Sequence, residues 1–170
     1  AHLGNWELGG VVIALMGYPF WVVALPHKEK MVNKFFNDKR ESKGIKVIAL
    51  GKAVRACLHA LKENELIGLV GDRDFTDTGI VMDFFGKPSI IPPGPAAFCL
   101  KTGAPIVPGF MLRNSDDTFT LVIEKAVDFT ASGDYEKDLL DLMRRYIMIF
   151  EDYIRRYPEQ WYMFRRFWSD

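Results

Sequence analysis

A histidine and a carboxylate five residues apart open the chain, in His2-Leu3-Gly4-Asn5-Trp6-Glu7. On a continuous helix that spacing is about 500° of rotation, which does not bring the two side chains together. They meet if His2 ends a strand, Gly4 makes a tight turn, and Glu7 stands in the first turn of the helix that follows. A carboxylate there is favoured by the helix dipole. It would accept one imidazole N–H and leave the other ring nitrogen as a base. That is the base and orienter of a triad whose nucleophile comes from a substrate hydroxyl. Two unrelated residues would give the same bare spacing, so the reading depends on the rest of the chain.

The elements that must position these residues alternate between strand-like and helix-like stretches. Residues 6–16 read as a helix after Asn5, weakened by Gly9 and Gly10. Residues 19–25 are short, apolar and β-rich, as a buried strand would be. Met31, Phe35 and Phe36 recur among charges over residues 28–41, and Gly44 stops that helix. A strand at 46–50, a helix at 52–62 and a strand at 66–71 follow. Strands separated by helices predict an α/β fold with a mixed, mostly parallel sheet flanked by helices. Beyond them lie a short helix at 95–101, paired strands at 106–112 and 119–126, and a long helix at 135–157 ended by Pro158. No repeat or linker interrupts residues 1–170, which are expected to form one domain.

The 170 residues suit one core, and 49% hydrophobic with 26% charged residues argues against disorder. Twenty-two basic residues balance twenty-two acidic ones, so no global charge points to nucleic acid. The distribution is uneven, however. Residues 27–62 carry ten basic side chains against three acidic, and residues 63–83 carry six acids against Arg73. The basic stretch suits anionic lipid or an acidic carrier protein, or is an ordinary solvated face. Cys57 and Cys99 are too few for a disulfide framework and sit among apolar residues, as inert core thiols do. His2, His27 and His59 lack Cys or His neighbours at ligand spacing, so neither a metal nor another cofactor is expected.

In that setting His2 to Glu7 closely resembles the H-x4-[DE] motif of the bacterial lipid A late acyltransferases. Further landmarks follow in the family's order. Arg40 with Gly44 and the strand after it resembles an Arg-then-Gly segment. Asp72 and Gly79 to Gly86 resemble an Asp-containing loop and an F-F-G block, although residues 71–79 are more acidic than the family's D-Q pattern. Pro93-Gly94-Pro95 and Gly103-Ala104-Pro105 match the next two, and Tyr157 to Trp168 is similar to the closing P-x-Q-W-x-x-x-x-R-x-W signature. The resemblance spans essentially the whole chain.

The resemblance implies transfer of an acyl chain from an acyl carrier protein thioester to a hydroxyl of a lipid A precursor. His2 would be the general base and Glu7 its orienter. Arg40 and Asp72 match positions tied to activity; Arg40 could hold an acceptor phosphate, or Asp72 could be its partner. Asn5 is a candidate oxyanion donor or a helix cap. Arg165 and Arg166, interleaved with Trp161, Tyr162, Phe164, Phe167 and Trp168, suit a lipid headgroup boundary, or the tail packs back on the fold. Phe35, Phe36, Phe84, Phe85 and Phe98 could line an acyl channel or fill the core. The family further implies a membrane-anchoring segment ahead of His2, a longer parent protein, and a place on the cytoplasmic face of the inner membrane. Competing readings are acylation of another glycolipid or a glycerophospholipid from acyl-CoA, a lipid-binding paralogue without turnover, and a thioesterase.

Overall fold

Parallel strands cannot be joined by tight turns, so each pair here is bridged by a helix. The computed structural model describes residues 1–75, 78–164 and 167–168. The chain has an α/β fold arranged as two compact units, Glu7–Leu69 and Ala1–Trp6 with Val70–Asp170.

In Glu7–Leu69, helix α1 (Trp6–Leu15) precedes strand β1 (Phe20–Ala24), helix α2 (Lys30–Glu41), strand β2 (Ile45–Ala49), helix α3 (Ala53–Lys62) and strand β3 (Leu66–Gly68). The three strands pair in parallel in the order β2-β1-β3, with Phe20 opposite both Ile45 and Leu66. Phe20 is the pivot of this small core. A Cβ at Gly68 would stand 2.5 Å from its ring and one at Gly10 3.2 Å away. Gly10, one of the two glycines that weaken α1 as an isolated helix, therefore makes room for an aromatic ring. Ile45, Ile48, Cys57 and Ala60 complete the buried set. Burial pushes the Cys57 thiol up to about 11, which suits an unreactive core residue.

The other unit is built from antiparallel ribbons and one long helix. Strands β4 (Ile80–Phe84) and β5 (Lys87–Ile91) form a hairpin; helix α4 (Gly94–Thr102) follows; β6 (Gly109–Arg113) and β7 (Phe119–Ile123) form a second. Helix α5 (Tyr135–Arg156) starts on Asp134, whose carboxylate accepts from the Lys137 N–H at 3.2 Å. Its residues Leu142, Met143, Tyr146, Ile147, Phe150, Tyr153 and Ile154 recur every three or four positions and are buried. They pack with Leu3, Phe84, Ile91, Phe110 and Leu112, and Phe110 stacks on Tyr153 at 3.8 Å. Phe84 is thus a core residue, whereas Phe35 and Phe36 are exposed.

Candidate active site

Residues 2–5 are held on both sides by backbone bonds. The Gly4 N–H donates to Gln160 O at 2.9 Å, the Asn5 N–H donates to Met111 O at 2.8 Å, and the Tyr162 N–H donates to His2 O at 2.7 Å. Leu3 bridges Trp161, and Gly4 bridges Met111 of β6. Gly4 takes φ +61, and a Cβ there would lie 1.9 Å from the Met111 carbonyl oxygen. Only glycine fits that left-handed position against another backbone.

This grip sets His2 against a buried carboxylate. The imidazole Nδ1 lies 2.8 Å from Asp72 Oδ1, the His2 backbone N–H donates to Asp72 Oδ2 at 2.9 Å, and Trp161 Nε1–H donates to Oδ2 at 3.0 Å. Asp72 is fully buried. Burial alone would raise its pKa, and the hydrogen bonds and charge that His2 brings act in the opposite sense; three donors on its two oxygens suit the ionised form. An ionised carboxylate only accepts, so Nδ1 carries the proton, and in the neutral imidazole Nε2 is then the nitrogen with the lone pair. Trp6 meets the imidazole edge-on at 4.9 Å and Phe75 at 6.2 Å. A pocket of about 370 Å³ opens beside them, lined by His2, Trp6, Arg73, Tyr162 and Phe164. That is within the size range of small-ligand sites. The Arg73 guanidinium lies 4.1 Å from the Phe75 ring centre.

The carboxylate at His2 Nδ1 is therefore Asp72, in the place expected for Glu7. Glu7 instead accepts from Arg40 through both oxygens, from Nε at 2.9 Å and Nη2 at 2.5 Å, and Asn37 accepts from Nη1 at 3.3 Å. The planar fork suits that two-point contact. It leaves Arg40, 12% exposed, engaged with Glu7 through its Nε edge. Asn5 is exposed and immediately precedes α1, where caps stand. Arg165 and Arg166 lie outside the described residues. Trp6, Arg73 and Phe75 were not singled out as site residues from sequence. The one signal for the last two was their place in the loop after Asp72.

The closing signature contributes through its backbone and amides. Gln160 donates from Nε2 to Arg113 O and accepts from the Arg113 N–H, both at 2.9 Å, so its side chain extends the β6 ladder. Trp161 then carries its indole N–H to Asp72. Gln160→Ala is expected to lower the unfolding free energy by about 1–2 kcal/mol, measured by urea denaturation, since two hydrogen bonds at a half-exposed position are lost.

A histidine base held by a buried aspartate at a pocket is the arrangement of enzymes that activate a hydroxyl or water. The sequence model of the family described as "Bacterial lipid A biosynthesis acyltransferase" matches residues 1–170, and the chain belongs to that family. It is 32% identical to a Mycobacterium tuberculosis protein named phosphatidylinositol mannoside acyltransferase, over 98% of this chain and 52% of that protein. A Mycolicibacterium smegmatis protein of the same name is 32% identical over 98% of this chain and 54% of its own length. The chain spans about half the length of these curated relatives.

Proposed function

We propose that the protein transfers a fatty acyl chain from a thioester donor to a hydroxyl of a glycolipid. The observation that carries the reading is the His2–Asp72 pair at the pocket, in a chain of an acyltransferase family. Nε2 of His2 takes the acceptor hydroxyl proton as the oxygen attacks the thioester carbonyl carbon. The tetrahedral oxyanion collapses, the C–S bond breaks, and the imidazolium returns its proton to the departing thiolate. The products are an ester and a free thiol. Asp72 keeps Nδ1–H in place and supports the imidazolium. The Asn5 side-chain amide is the proposed oxyanion donor. Glu7 and Arg40 act as positioning residues: their ion pair fixes the first turn of the helix that begins four residues after His2.

Among glycolipids, a mannosylated phosphatidylinositol is the acceptor we favour, because the similar proteins carry that name. The lipid A precursor expected from sequence remains the comparison substrate. Among the described residues no helix is long and apolar enough to cross a membrane. The proposed setting is the cytoplasmic face of the inner membrane.

The test is mass spectrometry of lipids after incubation with acyl carrier protein thioester or acyl-CoA, each with a phosphatidylinositol mannoside and with a lipid A precursor. A gain of one acyl chain on the mannoside, absent in His2→Ala, is expected. A gain on the lipid A precursor alone overturns the acceptor. Free fatty acid with no acylated lipid makes the protein a thioesterase and overturns the transfer.

A further inference from the structure

Helix α2 buries none of its residues. Met31 is 86% exposed and Phe35 56%, and Val32 and Phe36 are exposed beside them. At about 100° per residue these four fall within an arc of about 140° on one side of the helix. Lys39 lies inside the same arc, with its ammonium 5.5 Å from the Phe35 ring. Lys28, Lys30 and Lys43 are exposed at the two ends of the element. Asp38, at the edge of the arc, is paired with Lys34 at 2.6 Å, and Glu41 falls outside it. His27 stacks on Phe36 at 4.9 Å, which stiffens the entry to the helix. Arg40, beyond the edge of the arc, pairs with Glu7, and its guanidinium lies 5.8 Å from the Phe36 ring centre.

We infer that this face of α2 docks on an anionic lipid surface, lying in the headgroup plane with Met31, Val32, Phe35 and Phe36 inserted and the lysines on lipid phosphates. The inference rests on the reading that the acceptor is a lipid. A face about 18 Å long and one helix wide presents a few hundred Å², well short of the roughly 800 Å² per partner that a stable protein interface needs. Lysines intermixed with exposed aromatic and aliphatic side chains are what an interfacial helix on anionic lipid uses. A lysine's long stem can lie along apolar groups while its ammonium reaches the phosphates, as Lys39 is placed to do.

Co-sedimentation of the chain with sucrose-loaded vesicles tests it, with no acyl donor present. Binding to phosphatidylglycerol/phosphatidylcholine vesicles is expected to be at least about tenfold tighter than to phosphatidylcholine alone, and to weaken with salt. Met31→Ser with Phe35→Ser is expected to weaken binding at least about tenfold. Lys28→Gln and Lys39→Gln are each expected to weaken it about fivefold. In Phe35→Trp, tryptophan emission should shift to the blue on adding anionic vesicles. All these positions are exposed, so melting temperatures should hold. Equal binding to both vesicle types, or a serine pair that binds like the original, overturns the inference. So does a concentration-dependent dimer in light scattering that the serine pair abolishes, because a second copy then covers the face. His2→Ala is expected to bind vesicles normally, so a failure of acyl transfer and a failure of docking read out separately.

Discussion

His2→Ala is expected to lower acyl transfer by about 10²–10⁴-fold, the usual contribution of a general base. Asp72→Asn should do at least as much. An asparagine keeps the shape but turns its NH₂ or its oxygen toward three donors that all need an acceptor: the His2 backbone N–H, Nδ1–H and Trp161 Nε1–H. Where the amide NH₂ faces the imidazole, Nδ1 must become the acceptor and Nε2 carries the proton, which removes the base. In triads that exchange costs about 10⁴-fold. Asp72→Asn should also cost about 1–3 kcal/mol of stability from a buried donor left without a partner. His2→Ala leaves Asp72 with the backbone and indole donors and should cost less. Trp161→Phe keeps the ring and loses one donor, so it should fall between the original protein and either of these in rate. The order of rates among the three variants, read from initial velocities well below each melting transition, is the check. Near-original transfer in both His2→Ala and Asp72→Asn would move the chemistry elsewhere.

The elements with strong local patterns were readable because local physics and packing agree there. The apolar recurrence in residues 135–157, closed by Pro158, corresponds to α5, and the polar turn 114–117 does join β6 to β7. The hairpin β4–β5 was harder. Its two turn residues are Phe85 and Gly86, with φ +57 and +75, where Asn-Gly is the usual signal. A phenylalanine tolerates that position because its N–H donates to Glu151 of α5 at 2.7 Å, a contact from 66 residues away. No local window contains it. The site divides in the same way. Spacing marked His2 and Glu7 as candidates, and the family resemblance added Arg40 and Asp72. Their pairing was not readable, because two carboxylates and two basic groups can be matched in more than one way. Sequence proximity favours Glu7 for His2, yet Asp72 stands at the imidazole from 70 positions away.

Gly4→Ala is the change expected to do the most damage for its size. The added methyl would sit 1.9 Å from Met111 O, and a backbone oxygen in a paired strand cannot swing aside as a side-chain end can. Relief requires residues 2–5 to move off β6, which breaks the Asn5 N–H bond to Met111 O and the Gly4 N–H bond to Gln160 O. The left-handed φ adds about 1–2 kcal/mol for a residue with a Cβ, and the two backbone bonds about 0.5–1.5 kcal/mol each. The expected loss is therefore about 2–5 kcal/mol, seen as a lower urea midpoint. Gly103→Ala separates the two causes, since Gly103 has φ +75 with nothing within 4 Å of the added methyl. It should pay the conformational cost alone, about 1–2 kcal/mol, and keep its acyl transfer. In Gly4→Ala the rate should fall at least about 10²-fold even where the protein is still folded. His2 is carried by the displaced segment, and a base moved by about 1 Å loses that much. Equal stability losses in the two alanine variants would show that the backbone of β6 yields to the methyl. Retained transfer in Gly4→Ala would show that His2 does not depend on this turn.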